Sequence, residues 1–323
     1  MSNSTTQQKT AALLLAANAG IAATTYFALK TLVRTALDRK MPPIMEHKRK
    51  KISSADYDME FIRQVKESAA LLAEKSHESV ITYGKDGTVL VGHWFPAENA
   101  ERIIIAMHGW RSSWNSDFGM ISDFLHNNHC SVLYAEQRGQ NNSGGDTMGF
   151  GMTERFDCLS WIDWVSQHFG TELPIYLCGV SMGATTVLMA ADLDLPDHVH
   201  GIMADCGFTS PYDIWKHIAN HNLHLPYGIN GRLIDFLCER KIQYRSTDCS
   251  TIEALKHTKV PVIFAHGKND HFVPVEMTLQ NYDACVSPKK LLIVPGADHG
   301  MSYFLAKDEY EKNVMEFWKA FDK

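Results

Sequence analysis

No C-x-x-C pair, no H-E-x-x-H and no glycine-rich phosphate loop occurs in this chain. Their absence argues against a redox dithiol, a zincin-type metal site and a P-loop nucleotide fold, so the sequence calls for no cofactor and no metal. Cysteine is sparse. The seven residues Cys130, Cys158, Cys178, Cys206, Cys238, Cys249 and Cys285 are odd in number and widely spaced, which speaks against a disulfide framework and for a reducing compartment. Cys178 and Cys206 end apolar runs, where a free thiol behaves as a small hydrophobe. Internal repeats and low-complexity segments are also missing. Net positive charge is missing outside the N-terminus. Residues 1–51 hold nine Lys/Arg against two acids, and a chain total of −6 less this local +7 leaves −13 for the rest. An acidic body argues against nucleic acid as partner, since phosphate binding needs a basic face, while small anionic substrates stay open.

What is present begins with Ala11 to Leu29, an uncharged stretch long enough as a helix to cross about 28 Å. Eight alanines and Asn18, Thr24 and Thr25 dilute it, so three readings stand: a membrane anchor, a cleaved signal peptide ending near Ala17-Asn18-Ala19, and a surface helix. Lys30, Arg34, Arg39, Lys40 and the run Lys48-Arg49-Lys50-Lys51 follow the stretch, whereas only Lys9 precedes it. That asymmetry favours an anchor in contact with membrane lipid and a cytoplasmic catalytic domain, with an extracytoplasmic one as the alternative. The expected division is an anchor and basic linker at 1–51 and one domain at 52–323.

Within the body, Met41-Pro42-Pro43 marks a boundary, and Asp56 to Lys75 carries Phe61, Ile62, Val65, Ala69 and Leu72 at helical spacing. Short apolar runs follow at Ser79–Tyr83, Val89–Phe95, Ile103–Met107, Ser131–Ala135, Ile175–Cys178, Gly201–Asp205, Val262–His266 and Leu291–Val294. The first two are joined by the turn Gly84-Lys85-Asp86-Gly87. Amphipathic stretches near 116–127, 153–168, 182–193, 276–285 and 307–320 separate the others. Such alternation predicts a mostly parallel sheet with helices on both faces. Residues 208–259 interrupt the rhythm and are expected to form a helical lid. Its apolar positions Ile229, Leu233, Phe236 and Leu237 suit a helix over the site.

Gly179-Val180-Ser181-Met182-Gly183 follows one such strand and opens one such helix. A serine hydroxyl is a poor nucleophile unless rigidly mounted beside a base, and a sharp strand-to-helix turn supplies the mounting. In parallel sheets the residues just beyond strand ends are the ones that meet. Those positions hold Ser181, His108-Gly109-Trp110, Asp270 and His299. With this order of Ser, Asp and His, the chain from about residue 80 onward resembles the α/β-hydrolases, and within them the bacterial, N-terminally anchored lysophospholipase-like and serine aminopeptidase-type enzymes. The resemblance implies Ser181 as nucleophile, His299 as general base and acid, Asp270 as orienting carboxylate, and the backbone N–H groups of Trp110 and Met182 as oxyanion hole. Asp205 rivals Asp270, since some members take the acid from the strand before the lid. His108 and His266 are expected to order loops, and Asp298 to point away if its loop is extended. Trp110, Trp114, Trp161, Trp164 and Trp215 are core or pocket-wall candidates. Arg138-Gly139 with Ser143-Gly144 resembles the family's R-G-x-G-x-S turn, from which Gln140-Asn141-Asn142 departs. The expected function is hydrolysis of an acyl or lipid-derived carboxylic ester, a small molecule. The alternatives are a serine peptidase acting on small peptides and a membrane-tethered binding protein with a vestigial site.

Overall fold

A computed structural model describes residues 2–46, 59–224, 227–228 and 230–322. The basic run Lys48-Arg49-Lys50-Lys51 and, in the insertion, Leu225, Pro226 and Ile229 lie outside the described residues. Eight strands form one sheet: β1 (Glu78–Tyr83), β2 (Val89–Phe95), β3 (Arg102–Met107), β4 (Cys130–Ala135), β5 (Ile175–Val180), β6 (Val199–Asp205), β7 (Val262–Gly267) and β8 (Lys289–Val294). Their order across the sheet is β1-β2-β4-β3-β5-β6-β7-β8. The β1–β2 and β2–β4 pairs are antiparallel and all the others parallel. The fold is therefore the mostly parallel α/β-hydrolase sheet, and every expected strand is present with its ends moved by at most two residues.

The apolar runs are continuous because both faces of the sheet are covered. Along β3, Ile104 and Ala106 join one core while Ile103, Ile105 and Met107 join the other, as alternating side chains require. Helices Met59–Glu74, Trp114–Asn127 and Lys307–Phe321 close the first face with Phe61, Leu72, Phe118, Leu125, Phe317 and Trp318. Helices Glu154–Phe169 and Met182–Ala190 close the second with Trp161, Val165, Val187 and Leu188.

A third apolar cluster gathers the end of the N-terminal helix, the insertion and residues beside Ser181. The N-terminal helix runs from Ser2 to Leu37, and its portion from Leu13 onward is long and apolar enough to cross a membrane. Leu13, Leu15, Ile21 and Phe27 are more than three-fifths exposed, whereas Leu29, Val33 and Leu37 are buried. The stripe Leu29-Val33-Leu37 continues the helix past Lys30, where the uncharged stretch stops. Its last turns dock on the body instead of leading into a linker. Beyond it Asp38 bridges to Thr147, and Arg39 donates to the carbonyls of Ser143 (2.6 Å), Gly145 (3.1 Å) and Asn141.

Between β6 and β7 lie helix Pro211–His217, a π-helical turn Ile218–Asn222, helix Gly231–Ile242 and the short helix Thr251–Leu255. Ser210 caps the first by accepting from the Asp213 N–H at 3.0 Å. The buried face of Gly231–Ile242 is Ile234, Cys238 and Ile242; of the expected positions, Leu233 and Leu237 pack half-buried against the same cluster and Phe236 does not. Phe236 is half exposed. The helix is turned by its contact with the N-terminal helix, a partner that its own apolar spacing does not reveal.

Candidate active site

Ser181 stands between the last residue of β5 and the first residue of helix Met182–Ala190, with φ at 55°. A non-glycine residue holds that conformation only where its surroundings enforce it. Here the Ser181 N–H donates to the Asp205 carbonyl at 2.9 Å, and two glycines let strand and helix close in. A β-carbon on Gly183 would lie 1.8 Å from the Met107 carbonyl oxygen, and one on Gly179 would lie 2.3 Å from the Gly183 backbone. Only glycine fits either position.

Three residues drawn from three strand ends meet in one line. His299 Nε2 lies 2.9 Å from Ser181 Oγ, and its Nδ1 lies 2.7 Å from Asp270 Oδ2. The other carboxylate oxygen of Asp270 accepts from the N–H groups of Phe272 and Val273, each at 2.8 Å. Asp205 is outside this line: its Oδ1 accepts from Ser302 Oγ at 2.9 Å, and burial raises its pKa. For Asp270, burial works toward the neutral acid, but the charge of His299 and hydrogen bonds from His266 and His299 hold the carboxyl well below the usual carboxylate range. Burial opposes charge on His299, and the Asp270 carboxylate outweighs it, so the imidazole pKa stands well above its ordinary value. The arrangement can pull a proton from Ser181 and hold the resulting imidazolium.

Several neighbours do more than the sequence suggested. His266 Nε2 lies 3.1 Å from Asp270 Oδ2 and its Nδ1 lies 2.7 Å from Thr278 Oγ1, so it holds the carboxylate directly as well as ordering a loop. Asp298 does not point away. It accepts from the N–H groups of His299 (2.8 Å) and His271 (2.9 Å), tying the two loops together. Cys206 sits beside His299, with burial pushing its thiol up to about 11. Its sulfur and the ligand atoms of Asp270 and His299 lie within 4.8 Å of one another, but the carboxylate and imidazole are already engaged with each other.

On the far side of Ser181 runs the loop His108-Gly109-Trp110-Arg111. His108 is buried, which lowers its pKa; its Nε2 accepts from the Gln137 N–H at 3.1 Å, so it does order a loop. Asp117 accepts from the Gly109 N–H at 2.6 Å and the Ser112 hydroxyl at 2.5 Å. Gln140 accepts from the Arg111 N–H at 2.6 Å, and Asn141 Nδ2 donates to the Ser112 carbonyl at 3.0 Å. Two of the three residues that depart from the family turn, Gln140 and Asn141, therefore help to brace this loop. Asp117 and Gln140 act as single side chains that belong to no motif, so no spacing flags them. As the first helical residue after Ser181, Met182 has a backbone N–H without an intrahelical acceptor.

The same loop is fastened to the N-terminal helix. Trp110 Nε1 donates to the Ala36 carbonyl at 2.9 Å, and the Arg111 guanidinium donates to the carbonyls of Arg39 (3.0 Å), Thr35 (2.9 Å) and Asp38 (2.5 Å). A cleft of about 640 Å³ opens over Ser181 and His299, walled by Gly109, Asp117 and, from helix Met59–Glu74, Phe61 and Val65. Beside it lies an apolar cavity of about 80 Å³, and Trp110 and Phe272 line both.

Residues 122–322 match the prolyl oligopeptidase family. Among curated proteins, the chain is 29% identical over 187 residues to the uncharacterized protein YqkD of Bacillus subtilis (strain 168), covering 58% of this chain and 61% of that one. It is 24% identical to the lysophosphatidylserine lipase ABHD12 of Danio rerio over 66% of this chain and 58% of the lipase. The chain thus spans about three-fifths of the length of these two relatives. Among solved structures, the Pyrococcus furiosus esterase Pf2001 superposes with a TM-score of 0.62 at 21% identity, covering 77% of this chain and 94% of the esterase. An acylaminoacyl peptidase of Pyrococcus horikoshii superposes with a TM-score of 0.58 at 17% identity over 78% of this chain and 43% of the peptidase. At these identities the two structures speak for the fold alone.

Proposed function

Since the chain belongs to the prolyl oligopeptidase family of α/β-hydrolases, we propose that it cleaves carboxylic esters, with Ser181 as nucleophile, His299 as base and acid, and Asp270 as the orienting carboxylate. The observation that carries this reading is the unbroken line from Ser181 Oγ through His299 to Asp270, at 2.9 and 2.7 Å, on a serine held at positive φ. Ser181 Oγ attacks the carbonyl carbon while His299 Nε2 takes its proton. Negative charge then develops on the carbonyl oxygen, for which the backbone N–H groups of Met182 and Trp110 are the proposed donors. Collapse expels the alcohol with the proton from His299 and leaves an acyl group on Ser181. Water, deprotonated by the same imidazole, releases the acid.

The uncharged cavity beside the site favours an acyl group over a peptide's ammonium terminus. The peptidase reading keeps a footing in the family name. A membrane-tethered binding protein would not need the hydrogen-bonded line. We further propose that the apolar N-terminal helix is a single anchor that brings the domain to membrane lipid, with the domain in the cytoplasm as the flanking Lys30, Arg34 and Lys40 favour.

The test is a panel of p-nitrophenyl esters and aminoacyl-nitroanilides with the wild type and Ser181→Ala. Ester turnover exceeds amide turnover in the wild type and falls about 10⁴-fold or more in the variant. Turnover retained by Ser181→Ala overturns the assignment, amide turnover above ester turnover promotes the peptidase, and absence of fluorophosphonate labelling promotes the binding protein.

A further inference from the structure

We propose that the apolar cavity beside the catalytic cleft is the site for the acyl chain, and that the N-terminal helix is one of its walls. The inference rests on the ester-hydrolase reading above and adds to it a substrate class: esters of straight-chain aliphatic acids longer than acetate, as opposed to acetyl or bulky aromatic esters.

The cavity lies where three elements meet. Leu32, Val33 and Ala36 come from the last turns of the N-terminal helix, Trp215 and Ile218 from the insertion, and Phe150 from the loop after β4. None of the described residues lining it is charged. Such a space attracts a hydrocarbon chain and rejects a solvated ion, because every methylene moved from water into it is favourable and no group is present to replace a charge's hydration. Its relation to Ser181 fixes which part of a substrate would enter. Trp110 and Phe272 line this cavity and the catalytic cleft alike. Phe272 packs edge-on against His299, with ring centroids 5.0 Å apart, and Trp110 is a proposed oxyanion donor. A chain passing between these two rings carries its carbonyl toward Ser181.

The helix supplies the second part of the argument. Its exposed apolar portion, with Leu13, Leu15, Ile21 and Phe27, runs without a break into the turns that wall the cavity. A chain drawn from a bilayer would meet apolar surface from lipid to cavity. Among the polar groups of the wall, which include the hydroxyls of Thr35 and Tyr227, the indole Nε1 of Trp215 is buried without a hydrogen-bond partner among the described residues. It offers a donor to a single oxygen, such as a hydroxyl or ester oxygen, on an otherwise apolar ligand.

The experiment fills the cavity from two sides, with Leu32→Trp on the helix and Ile218→Trp on the insertion, so that a folding failure of one leaves the other. The ratio of kcat/KM for p-nitrophenyl decanoate to that for p-nitrophenyl acetate is measured in full-length protein in detergent. Binding of the fluorescent fatty acid cis-parinaric acid is titrated in the Ser181→Ala background. The expected result is a tenfold or greater fall in the decanoate-to-acetate ratio and an equal weakening of parinarate binding in both variants. A ratio and a binding curve that do not move in either folded variant overturn the proposal. The two readings fail separately. Parinarate binding that responds to filling, in a protein that hydrolyses no ester, defeats the esterase and leaves the cavity. Ester turnover that ignores the filling defeats the cavity and leaves the esterase.

Discussion

A single proton decides whether the proposed base can act, and the residues around His299 set where that proton leaves. The neighbouring Asp270 carboxylate raises the imidazole pKa above its ordinary value of about 6.5 against the pull of burial. Catalysis needs the neutral ring, so kcat/KM rises with pH, with its acidic limb above that value. Asp270→Asn removes the charge that raises the pKa. The limb then moves to lower pH, and kcat on p-nitrophenyl acetate falls about a thousandfold or more through the wrong tautomer. A pH profile of both proteins checks it, and an unmoved limb would assign the titration to another group. The same pair bears on stability. Relative to the unfolded chain, the raised His299 contributes stability present below its unfolded pKa and lost as pH rises through the folded one. The depressed Asp270 contributes stability present above its unfolded pKa and lost as pH falls through the folded one.

At the scale of elements, the loop His108–Arg111 and the end of the N-terminal helix share hydrogen bonds from Trp110 and Arg111 to the carbonyls of Thr35, Ala36, Asp38 and Arg39. Removing residues 1–28 leaves all of these in place, whereas removing residues 1–40 deletes every acceptor. The shorter deletion is expected to retain kcat on p-nitrophenyl acetate, and the longer to lose about a hundredfold, the scale of one displaced oxyanion donor. Thermal unfolding of both proteins separates this loss from simple misfolding. The helix seam was not legible beforehand, because the uncharged stretch stops at Leu29 while the buried stripe runs on to Leu37. Phe236 was misread for a kindred reason: which side of helix Gly231–Ile242 is covered depends on a neighbour two hundred residues away in sequence. By contrast, the strands were legible because both faces are covered, which makes each an apolar run. Ser181, Asp270 and His299 were legible as candidates because parallel strands deliver their ends to one edge. Asp117, Gln140 and the contact of His266 with Asp270 left no such trace, being lone polar side chains that belong to no motif and no apolar pattern.

For the molecule as a whole, all seven cysteines are buried and unpaired, and burial raises their thiol pKa values. Thiolate is the reactive form, so the native protein should be nearly inert to a disulfide reagent such as DTNB at neutral pH. All seven thiols should titrate once guanidinium unfolds the sheet. Fast reaction of one thiol in the native state would locate an opening that the buried cores do not allow for, with Cys206 beside His299 the first to check by protection with a fluorophosphonate.

The docking of Leu29, Val33 and Leu37 moves the seam of the molecule. A chimera or a soluble variant cut at the Pro42-Pro43 pair divides the protein through its working parts, whereas a cut just before Leu29 separates only what lies outside them. What is inherited as one unit, and has to be exchanged as one unit, thus begins inside a helix rather than after it.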